Sequence, residues 1–173
     1  LLTELPENLF QGLNALENLL IMGNQLTTLR GNTIQGLINL TDLNASHNQI
    51  AELPEDTFRG LTHLRSLNLD HNRITTLHEA IFQGLTGLGR LSLKNNAISE
   101  LPKTIFQETK NLRDVYLSGN RLTTLPSGIL SGFTSLYTIA LDHNQLTELH
   151  DVFKGLMSII ELHLENNPLT TIP

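Results

Sequence analysis

The chain has 173 residues, a formal net charge of −6 from 11 Lys plus Arg against 17 Asp plus Glu, and no cysteine. That length suits one domain, 1–173, with a substantial core, and the negative charge argues against a phosphate backbone, and so nucleic acid, as partner. The missing cysteines exclude disulfides, thiolate metal sites and a cysteine nucleophile, and no apolar run approaches the roughly 20 residues that direct membrane insertion requires.

The opening LLTELPENLF has no basic stretch ahead of an apolar one, so it does not read as a signal peptide. A first strand is expected around Leu16, Leu19 and Ile21, followed by Asn24, Leu26 and Leu29. The L-x-L alternation has the period of a strand, leucines inward and intervening residues outward. The outward residues Leu20 and Met22 are apolar, which suits cover by an N-terminal cap. The second coil repeats the first at a spacing of 24 with Leu40, Leu43, Ala45, Asn48, Ile50 and Leu53, where only Ala45 departs in size. It also holds two sequons, at Asn39 and Asn44, no more than chance supplies. Both are candidate glycosylation positions; a sugar on Asn44 would project from the sheet, and one on Asn39 would leave from the approach to the strand.

The third and fourth coils continue with Leu64, Leu67, Leu69, Asn72 and Leu88, Leu91, Leu93, Asn96. The fifth has Leu112, Val115, Leu117 and Asn120. The stretch FQETKNL before its strand breaks the usual FQGLxxL form by placing Glu108 where Gly12, Gly36, Gly60, Gly84, Gly132 and Gly155 stand, so this coil should differ on its outer side. The sixth coil carries Leu136, Ile139, Leu141 and Asn144. One residue is then deleted in LHDVFKGL, and the seventh closes with Ile159, Leu162, Leu164, Asn167, Leu169 and Ile172. On the far side Phe10, Ile34, Phe58, Phe82, Phe106, Leu130 and Phe153 should stack as a spine. A buried Asn is costly unless its amide is bonded, so the Asn column should form a structural ladder between coils. Pro6, Pro54, Pro102 and Pro126 mark where each coil turns outward. His47, His71 and His143 precede ladder asparagines and read as solvated turn residues in preference to a metal or pH-sensitive site.

The pattern LxxLxLxxNxLxxLPxxxFxGLxx, in about seven copies over the whole chain, resembles the 24-residue typical class of leucine-rich repeat. The resemblance implies an α/β repeat solenoid: a right-handed curved coil with a concave parallel sheet and an irregular or short-helical convex side. It also implies likeness to Toll-like receptor ectodomains, variable lymphocyte receptors, Slit proteins and small leucine-rich proteoglycans, hence an extracellular, secreted or cell-surface setting. Those relatives carry cysteine-rich caps that this chain lacks; a segment of a longer protein is expected, with an uncapped protein or an end-to-end homodimer as alternatives.

The strand-flanking positions project to the concave face and share no repeated chemistry. Arg90 and Lys94 form a basic spot between acidic flanks that include Asp70, Asp114 and Asp142, and Tyr116 is the only aromatic in these columns. This gives a ligand-binding site of Arg90, Lys94, Tyr116, Asp114, Asp142 and Asp70, with Arg65, Arg113 and Tyr137 one position away. No Walker loop, dinucleotide fingerprint, nucleophile elbow or zincin motif is present. The expectation is noncatalytic recognition of a protein or microbial cell-surface ligand, of innate-immune or pattern-recognition type, with no cofactor and no metal. A matrix or adhesion module is the alternative, and a structural spacer the third reading.

Overall fold

A computed structural model describes residues 1–171 and shows seven stacked coils, each contributing one three-residue strand. The strands are β1 (Asn18–Leu20), β2 (Asp42–Asn44), β3 (Ser66–Asn68), β4 (Arg90–Ser92), β5 (Asp114–Tyr116), β6 (Thr138–Ala140) and β7 (Glu161–His163). They pair in parallel in the order β1 to β7, with the register Leu19, Leu43, Leu67, Leu91, Val115, Ile139 and Leu162. This is the right-handed curved solenoid the repeat implies, with the sheet on its concave side. The 23-residue interval before the last coil leaves the β6–β7 register in step.

A strand of three residues has too little backbone pairing to stand alone, so stability resides in the columns beneath it. Leu40, Leu64, Leu88 and Leu112, with Leu26, Ile50, Ile74, Ile98, Leu122 and Leu146, are sealed from solvent. The aromatic spine forms as expected through its middle, Phe58 on Phe82 and Phe82 on Phe106, each pair stacked at 6.5 Å. It then changes column: Phe106 meets Phe133 edge-on at 6.3 Å. The fifth coil has the smaller Thr109 where other coils have Leu, and Phe133 in the next coil occupies that same column, so one enlargement fills the space the other leaves. Thr109 is buried and its hydroxyl lacks a partner.

The core columns are not uniform to their ends. Leu162 lies 41% exposed although it shares a column with Leu91 at 0%, because the last described coil has a neighbour on one side only. Ile172 falls outside the described residues.

The asparagine ladder is built as the burial argument requires. Asn48 accepts the Leu26 N–H at 3.1 Å on Oδ1, and its Nδ2 donates to the Ile21 and Ala45 carbonyls, both at 3.0 Å. Asn72, Asn120 and Asn144 repeat that pattern, each tying its own turn to the coil before it.

The residue preceding each ladder Asn is in the left-handed region in all seven coils: Gly23 (φ 75), His47 (54), His71 (54), Asn95 (57), Gly119 (71), His143 (55) and Asn166 (58). Glycine adopts this conformation freely, and Asn and His are the side chains that enter it most readily. The histidines are therefore placed by backbone conformation as well as by solvent. His47 and His71 stack face to face at 4.3 Å, and the Nε2 atoms of His71 and His143 bond the Asn95 and Asn166 amides at 3.2 and 3.1 Å.

On the convex side the chain turns by i to i+3 bonds that begin at the Pro column, as in Thr57 N–H to the Pro54 carbonyl at 3.0 Å. The second coil, which has Arg30 instead of proline, makes the one α-helix among the described residues, α1 (Gly31–Ile34). Gly12, Gly60, Gly84, Gly132 and Gly155 have φ between 81 and 87°, whereas neither Glu108 nor Gly36 takes a positive φ, so the fifth coil departs from the usual return to the strand and the second coil, with its helix, departs as well.

Candidate functional site

Each three-residue strand presents its first and third side chains to the concave face, the residue two beyond the strand adds another, and the parallel register places them in straight rows across the coils. Arg90 pairs in register with Asp114, and Ser92 with Tyr116. Ser92 is small and buried, which leaves room for the Tyr116 ring to lie against the fourth coil. Two cations from that coil converge on this ring: Arg90 Cζ lies 4.9 Å and Lys94 Nζ 4.5 Å from its centroid. Both distances are within the range at which the ring quadrupole attracts a cation. Every ion pair among the described residues involves a histidine, and no described carboxylate comes within 4.0 Å of Arg90 or Lys94.

The acidic members behave differently from one another. Asp70 Oδ1 accepts the Ser92 hydroxyl at 2.5 Å and the Lys94 N–H at 2.8 Å, so it braces the strand end beneath the basic pair. Asp142 Oδ1 accepts the Ser118 hydroxyl at 2.5 Å, and its Oδ2 lies 3.0 Å from His143 Nδ1. Partial burial alone would raise the Asp142 carboxyl; the bonds from Ser118, His143 and its own backbone, together with the His143 charge, outweigh it and hold the pKa below its ordinary value. Serine, aspartate and histidine are adjacent here without forming a nucleophilic relay, because Ser118 donates to the carboxylate and not to the imidazole. Asp114 is half-buried beside Tyr116 and is absent from the ion pairs.

Of the six residues read from the sequence, Arg90, Lys94 and Tyr116 form one cluster with Asp114 beside it and Asp70 supporting it from below. Asp142 belongs to a second group at the C-terminal end of the face. That end also carries Glu161, His163 and Glu165, which lie outside the six residues expected from the sequence. His163 lies between the two glutamates, Nε2 3.5 Å from Glu161 and Nδ1 3.4 Å from Glu165. Hydrogen bonding to Glu161 and then Glu165 holds its pKa above the ordinary value. The triplet Glu161, His163, Glu165 was visible in the sequence as three polar residues at strand spacing. Between the two groups the sheet dips, since β6 carries two small buried residues, Thr138 between Asp114 and Glu161 and Ala140 between Tyr116 and His163.

Arg65, Arg113 and Tyr137 are exposed along the row just before the strands. Leu20 and Met22 are exposed at the N-terminal end of the face. Asn39 is exposed, and its Nδ2 donates to the Asn14 carbonyl at 2.6 Å. The same column makes equivalent bonds through His63 to Ile38, Asn111 to Thr86 and Ser158 to Thr134, a second, outer ladder not anticipated from sequence. Asn44 is half-buried in the sheet with Oδ1 accepting the Ser46 N–H at 3.0 Å. No group of three or more His, Cys, Asp or Glu among the described residues is arranged to hold a metal ion, and no described helix is long and apolar enough to cross a membrane.

A family model described as "Leucine rich repeat" matches residues 1–50, 46–98 and 86–146. Among solved structures, a leucine-rich-repeat protein of Leptospira interrogans, LIC12759, aligns with a TM-score of 0.84 and 34% identity over 93% of this chain and 40% of its own. TLR13, in a complex with ssRNA13, aligns with a TM-score of 0.73 and 28% identity over 96% of this chain and 27% of its own. The chain therefore spans less than half the length of either protein. No curated protein matches the sequence. Repeat pattern, coil geometry and family match agree, and the chain belongs to the leucine-rich-repeat family.

Proposed function

We propose that residues 1–173 act as one extracellular recognition domain of about seven repeats, binding a protein or microbial cell-surface ligand on the concave face in an innate-immune or pattern-recognition role. The fold itself suggests a protein-binding module. The observation that carries the finer reading is the pair of cations, Arg90 and Lys94, held on the Tyr116 ring with no carboxylate partner. A chain with net charge −6 has acids in excess, so two convergent cations left unpaired on a concave surface form a feature that a ligand would complete. Likeness to TLR13 supports the immune setting; its ssRNA partner does not transfer, since the net negative charge here opposes a polyphosphate.

The test is binding of the purified protein to immobilised bacterial cell-wall components and, in parallel, to matrix proteins, with an Arg90→Ala/Lys94→Ala/Tyr116→Ala variant beside it. Microbial binding lost in the variant is the expected result. Binding to matrix proteins alone, lost in the variant, would replace the immune role with adhesion. Binding that the variant leaves intact would remove the cluster from the interface, and a protein that binds neither set would be acting as a spacer.

A further inference from the structure

The concave face has two poles of opposite sign. Its middle holds Arg90 and Lys94 over Tyr116. Its C-terminal end holds Asp142, Glu161 and Glu165 around His163. The shallow row between them is Tyr116, Ala140 and His163, neighbours in register on β5, β6 and β7. Strands β4 and β7 are three spacings apart, about 14 Å. An extended peptide rises about 3.3 Å per residue and turns alternate side chains to the same side. Two of its residues separated by four positions therefore both face the sheet and lie about 13 Å apart, the separation of the two poles. Separation by three or five positions turns one of the two away. The residue midway between them also faces the sheet, where the Tyr116 ring and the buried Ala140 offer a small apolar saddle.

We infer that the concave face takes an extended protein segment of pattern acid–x–apolar–x–base lying across the strands, its carboxylate on Arg90 and Lys94 and its cation on Glu161 and Glu165. This rests on the concave-face reading above and narrows it to a dipolar peptide. Charge complementarity sets both the spacing and the orientation: the acidic end lies over the fourth coil and the basic end over the seventh. The cations are already gathered on one ring, so bringing in a carboxylate relieves their mutual repulsion and needs little rearrangement.

A membrane-bound peptide array, in which one Glu and one Lys flank a Leu at separations of two to six positions and in both orders, tests the inference with the intact protein. Signal should peak at a separation of four, exceed separations of three and five by about tenfold or more, and fall as salt rises. Arg90→Glu/Lys94→Glu and Glu161→Lys/Glu165→Lys should each abolish it. Combining the two pairs of changes should restore binding to the peptide with the opposite order. That rescue guards against simple misfolding of the variants. Equal signal at odd and even separations, or no signal at any, overturns the inference. A sulfated oligosaccharide that binds through Arg90 and Lys94 and ignores Glu161→Lys/Glu165→Lys would also overturn it, while leaving concave-face recognition standing; loss of both would bring down the two readings together.

Discussion

The fourth and seventh coils have the same backbone and different energetics. Leu91 and Leu162 are the same residue in the same column of the same sheet, yet one is sealed and the other is 41% exposed. Asn95 and Asn166 occupy one left-handed turn position with φ of 57° and 58°, and each bonds a histidine of the preceding coil. On the concave side the fourth coil carries cations without carboxylate partners, and the seventh carries a histidine enclosed by two carboxylates. The repeat therefore transmits conformation without loss, whereas burial and electrostatics depend on which coils lie alongside.

The largest effect should come from cutting the shared leucine at both places. Leu91→Ala should cost about 2 to 5 kcal/mol by opening a cavity between two coils, and Leu162→Ala about 1 kcal/mol or less, because the removed atoms already meet water. Lys94→Ala, one face away from Leu91, should cost under about 0.5 kcal/mol. Urea midpoints of the three proteins measure this, and equal losses for the two leucines would break the comparison.

Conformational strain should behave in the opposite way. Asn95→Val and Asn166→Val each force a β-branched residue into the left-handed region, at about 1 to 2 kcal/mol, and the two costs should agree because the strain is local to the turn. Asn→Gly at either position should be nearly neutral. A large difference between the two valine variants would mean that the turn depends on its neighbours after all.

Between these coils, Thr109 buries a hydroxyl without a partner. Thr109→Val keeps the shape and removes the unmet donor, so thermal unfolding should show a gain of about 1 kcal/mol. A loss instead would place a partner at that hydroxyl and make the fifth coil less of an exception.

The smallest effect is the titration of His163. Its folded pKa is raised by the flanking glutamates, so its contribution to stability is complete below the unfolded value and disappears as pH rises through the folded one. An NMR titration should place the imidazole above its ordinary value, and Glu161→Gln/Glu165→Gln should return it. An unchanged titration in that variant would show that the two carboxylates do not hold the ring in solution.

The strand register was fully legible, because an Asn every 24 residues aligns all seven strands without reference to anything outside the chain. The inner ladder followed from the cost of a bare buried amide. The left-handed column is legible in the sequence only as a whole: Gly, His, His, Asn, Gly, His and Asn share tolerance of positive φ, a property that the histidines alone do not reveal. The outer ladder was less accessible, since Asn39, His63, Asn111 and Ser158 share no residue type and meet only through carbonyls of the preceding coil. At the site, convergence on Tyr116 could be anticipated from adjacent rows. The engagement of Asp70 and Asp142 by serines could not, because it depends on which rotamer reaches which coil.

The missing residue of the seventh coil has a wider consequence. The deletion falls after the His150 position, where Asp151 keeps the positive φ that Gly128 has in the coil before, and no strand moves. This change of length is thus absorbed on the convex side and does not reach the sheet. Whole coils are consequently interchangeable cassettes: one could be duplicated, removed or replaced at its loop, sliding the positive and negative poles apart or together in steps of one strand. The fold separates the tuning of a ruler on its concave side from the task of staying folded.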